Sequence, residues 1–360
     1  MDLVDVVIGI DPHKHSSTTA ALDRSGRLLQ VARFPASRDG YRALRQWARR
    51  WPARSFAVEG ASGLGRPVAQ QLLGHGETVV DVPAKLAARV RLLSSGHNRK
   101  TDPDDAIATA RAAVQADVLQ PVTVEDHSTV LRLLSERRDQ LVAQRTRTIN
   151  RLHVLLTDLI PAGSGPQLTA GRAAQLLRRV RTSSATTGAR RVRRELASDL
   201  VRDVRRLDRQ LADLQRRITQ AVKQAPTTLP ELFGVRSVLT AKLLGEVGDV
   251  SRFATKAQFA SYTGTAPIEA SSGEVVRHRL SRAGNRQLNH ALHLMAICQI
   301  SHDTAGRSYY QRKRAEGKSS KEALRCLIGR VSRVRSAWSG SCSSAGVGGW
   351  PRCRAARRPV

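Results

Sequence analysis

The apolar positions of this chain change rhythm along its length. Val4 to Ile10 is a continuous apolar run after an acidic start, the pattern of a buried strand. Thr18 to Leu22 and Leu28 to Phe34 read as two more strands, joined by the hairpin turn Asp23-Arg24-Ser25-Gly26. Tyr41, Leu44 and Trp47/Ala48 then recur at helical spacing. Phe56 to Val58 predicts a short strand, Leu64 to Leu73 a helix, Val79 to Val82 a strand and Ala84 to Leu93 a helix. Pro103 opens a further helix through Ala116. Three strands, a helix, then alternating strands and helices describe a mixed-sheet α/β domain, expected over residues 1–118.

Residues 119–225 read as a basic, helical region. Leu200, Val204, Leu207, Leu211, Leu214 and Ile218 alternate four and three apart, the heptad spacing of a coiled coil. A single amphipathic helix packed on its own chain carries the same stripe; the expectation is a coiled-coil or intersubunit seam. Gly163-Ser164-Gly165-Pro166 interrupts this region as a loop. Residues 226–335 form a third, mostly helical unit. The final stretch, 336–360, holds 5 Ser, 4 Gly and 4 Arg, no acid and no periodicity. It is expected to be a disordered basic tail, or a stretch read out of frame. The fold class is therefore α/β plus α.

Composition narrows the partners. Against 60 Lys+Arg stand 30 Asp+Glu, a net charge of +30, and 51 of the basic residues are Arg. Codon usage can favour Arg over Lys but does not create the excess of charge. A field this large points to a polyanion, and the planar guanidinium forks onto phosphates. An apolar share of 41% supplies real cores. No apolar run is long enough to span a membrane. Met1-Asp2-Leu3-Val4-Asp5 places acids where a signal peptide needs basic residues. Four Cys, none in a C-x-x-C pair, argue against a disulfide framework or zinc ribbon. The expected setting is the cytoplasm, on the nucleoid.

In a chain this poor in acids, four stand out. Asp11 directly follows the first strand and Glu59 directly follows the strand Phe56 to Val58, at the carboxyl ends where open α/β sheets bind ligands. Asp102 and Asp105 open a helix and share its face. Carboxylates suit Mg²⁺, and four of them can hold two ions that clamp a scissile phosphate. The competing reading is local: Asp102 before Pro103 makes a good N-cap, and Asp105 completes a capping-box-like pattern. His13 and His15 are read as phosphate or loop contacts. Further on, Gly234-Val235-Arg236-Ser237 enters an Ala/Leu-rich helix, either a helix-hairpin-helix element whose N–H groups meet phosphate or a tight helix corner. Ser271-Ser272-Gly273 lies at the bend of a hairpin, before a basic stretch and the helix Arg286 to Ile300. Physics alone reads it as a surface turn, although neighbouring Arg side chains would help a serine act as a nucleophile.

Taken together, Val7-Ile8-Gly9-Ile10-Asp11-Pro12-His13-Lys14, Val58-Glu59-Gly60-Ala61-Ser62-Gly63 and Lys100-Thr101-Asp102-Pro103-Asp104-Asp105-Ala106 resemble the N-terminal domain of the insertion sequence 110 family of transposases. That domain is similar to ribonuclease H and RuvC-type resolvases. Gly264-Thr265-Ala266-Pro267, Ser272-Gly273 and the basic run through Gly284-Asn285 resemble the family's second domain. The resemblance covers roughly residues 1–330. It implies a DNA transposase in which Asp11, Glu59, Asp102 and Asp105 bind Mg²⁺ and Ser272 is the nucleophile. It also implies an element-encoded guide RNA and a homo-oligomer, dimer or tetramer. Lys14, Arg277, Arg279, Arg282 and Asn285 are the candidate nucleic-acid contacts. Two alternatives remain: a RuvC-like hydrolytic endonuclease, and an inactive nucleic-acid-binding remnant.

Overall fold

A computed structural model describes residues 5–95, 101–116, 119–161, 163–180, 188–269, 278–281 and 284–331. It divides into two compact units, residues 1–125 and 126–360. The expected tail, 336–360, lies outside the described residues.

The first unit is built on a six-stranded mixed sheet. Its strands are β1 (Val6–Pro12), β2 (Ser16–Asp23), β3 (Leu28–Pro35), β4 (Arg54–Glu59), β5 (Val79–Val82) and β6 (Gln120–Pro121), in the order β3-β2-β1-β4-β5-β6. β1 pairs antiparallel with β2 and parallel with β4, so it is central. This is the mixed-sheet α/β arrangement expected from the sequence. The two-residue β6, antiparallel to β5, is too short to leave a periodic signal. Helices α1 (Arg38–Ala48), α2 (Arg66–Leu73), α3 (Ala84–Ser95) and α4 (Asp102–Gln115) complete the unit.

Alternation along β1 divides its side chains between two layers. Val6, Ile8 and Ile10 pack with Leu44 and Trp47 of α1 and with Val68 and Leu72 of α2. Val7 packs on the opposite layer, with the α3 and α4 residues Ala87, Val90, Ala106, Ala108, Ala110 and Ala112. Small residues dominate this second layer, so α4 approaches the sheet closely. Gly9 makes the approach possible. A Cβ there would stand 2.3 Å from the Ala106 carbonyl oxygen and 2.5 Å from the Ala110 nitrogen.

The second unit opens with α5 (His127–Leu159), capped by the Asp126 carboxylate on the Ser128 N–H. Next come α6 (Ala170–Arg179) and α7 (Gly188–Gln224). The loop expected at 163–166 lies between α5 and α6, with Gly163 and Gly165 both at positive φ. The heptad stripe of α7 is buried against α5. Val201 and Val204 pack with Leu152, Leu156 and Leu159. Leu207, Leu214 and Ile218 pack with Leu131, Leu134 and Leu141. The early part of one helix meets the late part of the other, so the pair is an antiparallel hairpin within one chain. This corrects the expected intersubunit seam: heptad spacing fixes which face is buried, and here the chain supplies its own partner.

The remainder is mostly helical: α8 (Ser237–Val247), α9 (Lys256–Tyr262), α10 (Arg286–Ile300), α11 (Ala305–Ala315) and α12 (Ser320–Val331). Gly234 turns the chain into α8 at φ +83°, and a Cβ there would come within 3.0 Å of the Cys298 side chain. That turn is therefore packed against α10. Strands β7 (Pro267–Glu269) and β8 (His278–Leu280) pair antiparallel, as the hairpin reading requires. No helix among the described residues is long and apolar enough to cross a membrane.

Candidate active site

The site is assembled at the carboxyl end of β1. Asp11 is the penultimate residue of the strand and is 8% exposed. The chain then turns between β1 and β2, and the His13 N–H donates to the Ser16 carbonyl at 2.7 Å. Two residues after Asp11, His13 returns to the same side of the chain. Its Nε2 lies 3.0 Å from Asp11 Oδ2 and 3.4 Å from Asp102 Oδ1. Asp102 also faces the Arg33 guanidinium of β3 at 3.7 Å. Asp11, His13 and Asp102 thus offer three ligand atoms within 4.8 Å of one another. His13 thus makes a loop contact through its backbone, while its Nε2 lies between two carboxylates.

The start of α4 explains why Asp102 is available. Thr101, not Asp102, is the N-cap: its Oγ1 accepts the Asp104 N–H, and its hydroxyl donates to Asp104 Oδ2 at 2.5 Å. Asp102 stands one residue inside the helix. The competing cap reading of Asp102 is corrected accordingly. Three acids in this first turn, Asp102, Asp104 and Asp105, also face the positive end of the helix dipole.

The other two predicted acids lie one helical stripe away. Asp105, 7% exposed, is ion-paired with Arg91 of α3. The fully buried Thr109 donates its hydroxyl to the Asp105 carbonyl at 2.8 Å, and the Thr109 Oγ1 also lies 3.4 Å from Glu59 Oε2 at the end of β4. Asp102, Ala106 and Ala110 are spaced by four along the α4 face toward β1. Asp105 and Thr109 form the neighbouring stripe toward α3 and β4. Sequence reasoning passed over Arg33, Arg91 and Thr109, which no local motif marks. Their roles arise only from the elements packed beside them.

Among the predicted nucleic-acid contacts, Lys14 and Arg279 are exposed. Asn285 has a structural position: its Oδ1 accepts the Leu288 N–H as the cap of α10, and its Nδ2 donates to Glu246 Oε2 at 2.7 Å. Ser272, Arg277 and Arg282 lie outside the described residues.

With this geometry in place, comparison with known proteins is specific. The family model described as "Transposase", of the DEDD type of insertion sequence 110, matches residues 8–161. The model described as "Transposase IS116/IS110/IS902 family" matches residues 227–311. The insertion element IS116 44.8 kDa protein of Streptomyces clavuligerus is 28% identical, over 92% of this chain and 93% of its own length. The insertion element IS110 43.6 kDa protein of Streptomyces coelicolor is 29% identical, over 89% of this chain and 90% of its own. Thermus thermophilus RuvC, solved with a Holliday junction substrate, aligns with 32% of this chain and 99% of its own, at 17% identity and a TM-score of 0.26. The two family models, one running from the α/β unit through α5 and the other covering part of the remaining helical region, together span well over half of the sequence, and the chain belongs to the insertion sequence 110 family of transposases, enzymes of DNA transposition and recombination.

Proposed function

We propose that this transposase cuts and rejoins DNA through Ser272, assisted by a divalent cation, Mg²⁺, at Asp11, Glu59, Asp102 and Asp105. The meeting of Asp11 and Asp102 around His13 carries this reading. Two carboxylates this close repel one another, and a metal cation between them would relieve that repulsion beyond what Arg33 supplies to Asp102. When bound, the ion supplies charge neutralisation on the scissile phosphate. Ser272 Oγ forms a bond to phosphorus as the bond to one deoxyribose oxygen breaks. The leaving oxygen takes up a proton and the serine hydroxyl gives one up. The phosphoserine ester keeps the energy of the original diester, so rejoining to a second DNA end needs no external source. Arg277, Arg279 and Arg282, together with Lys14, are the proposed contacts to the backbone. We assign Asn285 to the support of this segment through the α10 cap.

Sequence choice belongs, in this reading, to an element-encoded guide RNA. The exposed arginines of α7, which include Arg205, Arg209 and Arg217, suit contacts to a phosphate backbone rather than to bases. The working enzyme is a homo-oligomer that engages two DNA ends.

A suicide DNA substrate tests the proposal. The wild-type chain should form a denaturation-resistant protein–DNA adduct that disappears in Ser272→Ala. Cleavage that persists in Ser272→Ala would overturn the serine mechanism in favour of hydrolysis by water. Binding without cleavage by the wild type would indicate an inactive remnant.

A further inference from the structure

We infer that His13 is itself a ligand of the catalytic cation, through Nε2, so that the site is a mixed nitrogen–oxygen centre that holds Mn²⁺ in preference to Mg²⁺. This rests on the proposed metal role of Asp11 and Asp102 and adds a residue outside the four acids.

An octahedral ion with ligands at about 2.1 Å has neighbouring ligands about 3.0 Å apart. His13 Nε2 stands 3.0 Å from Asp11 Oδ2 and 3.4 Å from Asp102 Oδ1. Both are close to the edge length of such an octahedron, and all three ligand atoms lie within 4.8 Å of one another. The turn holds the imidazole there, through the His13 N–H on the Ser16 carbonyl. Nε2 is shielded from solvent and has no hydrogen-bond partner of acceptable geometry among the described residues. A histidine placed to support Asp11 by donating a proton would have a well-directed bond to it. One placed to meet phosphate would not have its nitrogen between two carboxylates, where an anion is repelled. A cation among the three would engage the otherwise unbonded Nε2 and lie against both carboxylates.

The donor set then sets the preference. Mg²⁺ is a hard ion that takes oxygen almost exclusively, whereas neutral imidazole is a good ligand for transition metals. One nitrogen among oxygens favours Mn²⁺ over Mg²⁺, while leaving positions open for water and phosphate oxygen.

The test uses the full chain with Mn²⁺ as the probe. Pulsed electron paramagnetic resonance of the complex should show the modulation of one directly bound ¹⁴N. Selective ¹⁵N-histidine labelling should convert that signal without any mutation. His13→Gln should lose the signal while circular dichroism stays unchanged. In competition titrations, His13→Asp should shift the Mn²⁺/Mg²⁺ preference toward Mg²⁺ by about tenfold or more. Stoichiometric Mn²⁺ binding that depends on Asp11 yet shows no nitrogen coupling would overturn this inference and leave the carboxylate site intact. Mn²⁺ binding that is absent, or indifferent to Asp11→Asn, would overturn the metal reading as well.

Discussion

Substitution of Gly9 by Ala tests how closely α4 must lie on the sheet. The new Cβ would stand 2.3 Å from the Ala106 oxygen, 2.5 Å from the Ala110 nitrogen and 2.8 Å from the Ala110 Cβ. Two of those atoms are backbone, so no rotamer change relieves the overlap. Carbon contacts are comfortable near 3.5–4.0 Å, so α4 must retreat by about 1 Å. Overpacking of this kind costs about 1–3 kcal/mol. For a unit of this size that is a fall in melting temperature of roughly 4–12 °C. The same retreat carries Asp102 away from Asp11. A misplacement of about 1 Å in a catalytic constellation costs about 100-fold in rate. Thermal melts followed by circular dichroism, with Mn²⁺ titration of the folded variant, should show a lower melting point and a cation affinity weakened by at least about tenfold. A Gly9→Ala chain with unchanged melting point and cation affinity would refute the claim that this contact positions the site.

Asp11→Asn should abolish cleavage while nucleic-acid affinity, measured by gel shift, stays within about threefold; a large loss of affinity counts against its metal role. Gly284→Ala would bring a Cβ to 2.3 Å from the Gly264 nitrogen, at the base of the β7–β8 hairpin; adduct formation should fall sharply, which the suicide substrate measures. Asp126 is titrated by opposing forces: burial raises its pKa, but bonds from the Ser128 hydroxyl and N–H, together with the neighbouring His127 and the Thr129 N–H, outweigh this and hold it below the ordinary aspartate value. A depressed folded pKa contributes stability that is present above the unfolded value and lost as pH falls through the folded one. Urea melts should therefore show wild-type stability falling below about pH 4, and Asp126→Asn should flatten that acid limb. Replacing Arg205, Arg209 and Arg217 together by Gln should weaken binding uniformly across sequences and reduce the salt slope by about 0.9 per lost contact to duplex phosphate.

The sheet was legible because its strands are short, apolar and punctuated by turns. The positions of Asp11 and Glu59 at strand ends were legible because each closes a short apolar run. The start of α4 was misread by one residue for a definite reason. Thr101-Asp102-Pro103 offers two good caps in succession, and proline is tolerated at either of the first two helical positions. Only the Thr101 bond to the Asp104 N–H decides between them. The stripe of α7 was also legible, but a stripe names a face and not the surface that covers it. That surface came from α5, whose own apolar pattern attracted no attention in the sequence.

The least legible feature is the coupling of strand to helix. Gly9, Asp11 and His13 follow one another at the two-residue period of a strand face. Asp102, Ala106 and Ala110 follow one another at the four-residue period of a helix face. The two faces meet in opposite senses: Gly9 lies against Ala106 and Ala110, while Asp11 and His13 lie beside Asp102. The close packing at one end therefore sets the spacing of Asp11, His13 and Asp102 at the other. Neither period announces this in the sequence, because each is the ordinary pattern of its own element. The composition of the α4 face is what allows it. Alanines opposite a glycine bring the helix axis near the sheet, and a short aspartate one turn further on then reaches the end of the strand. Larger residues at Ala106 or Ala110 would leave the same acids in the sequence and hold Asp102 farther from Asp11, beyond the spacing that the proposed cation requires.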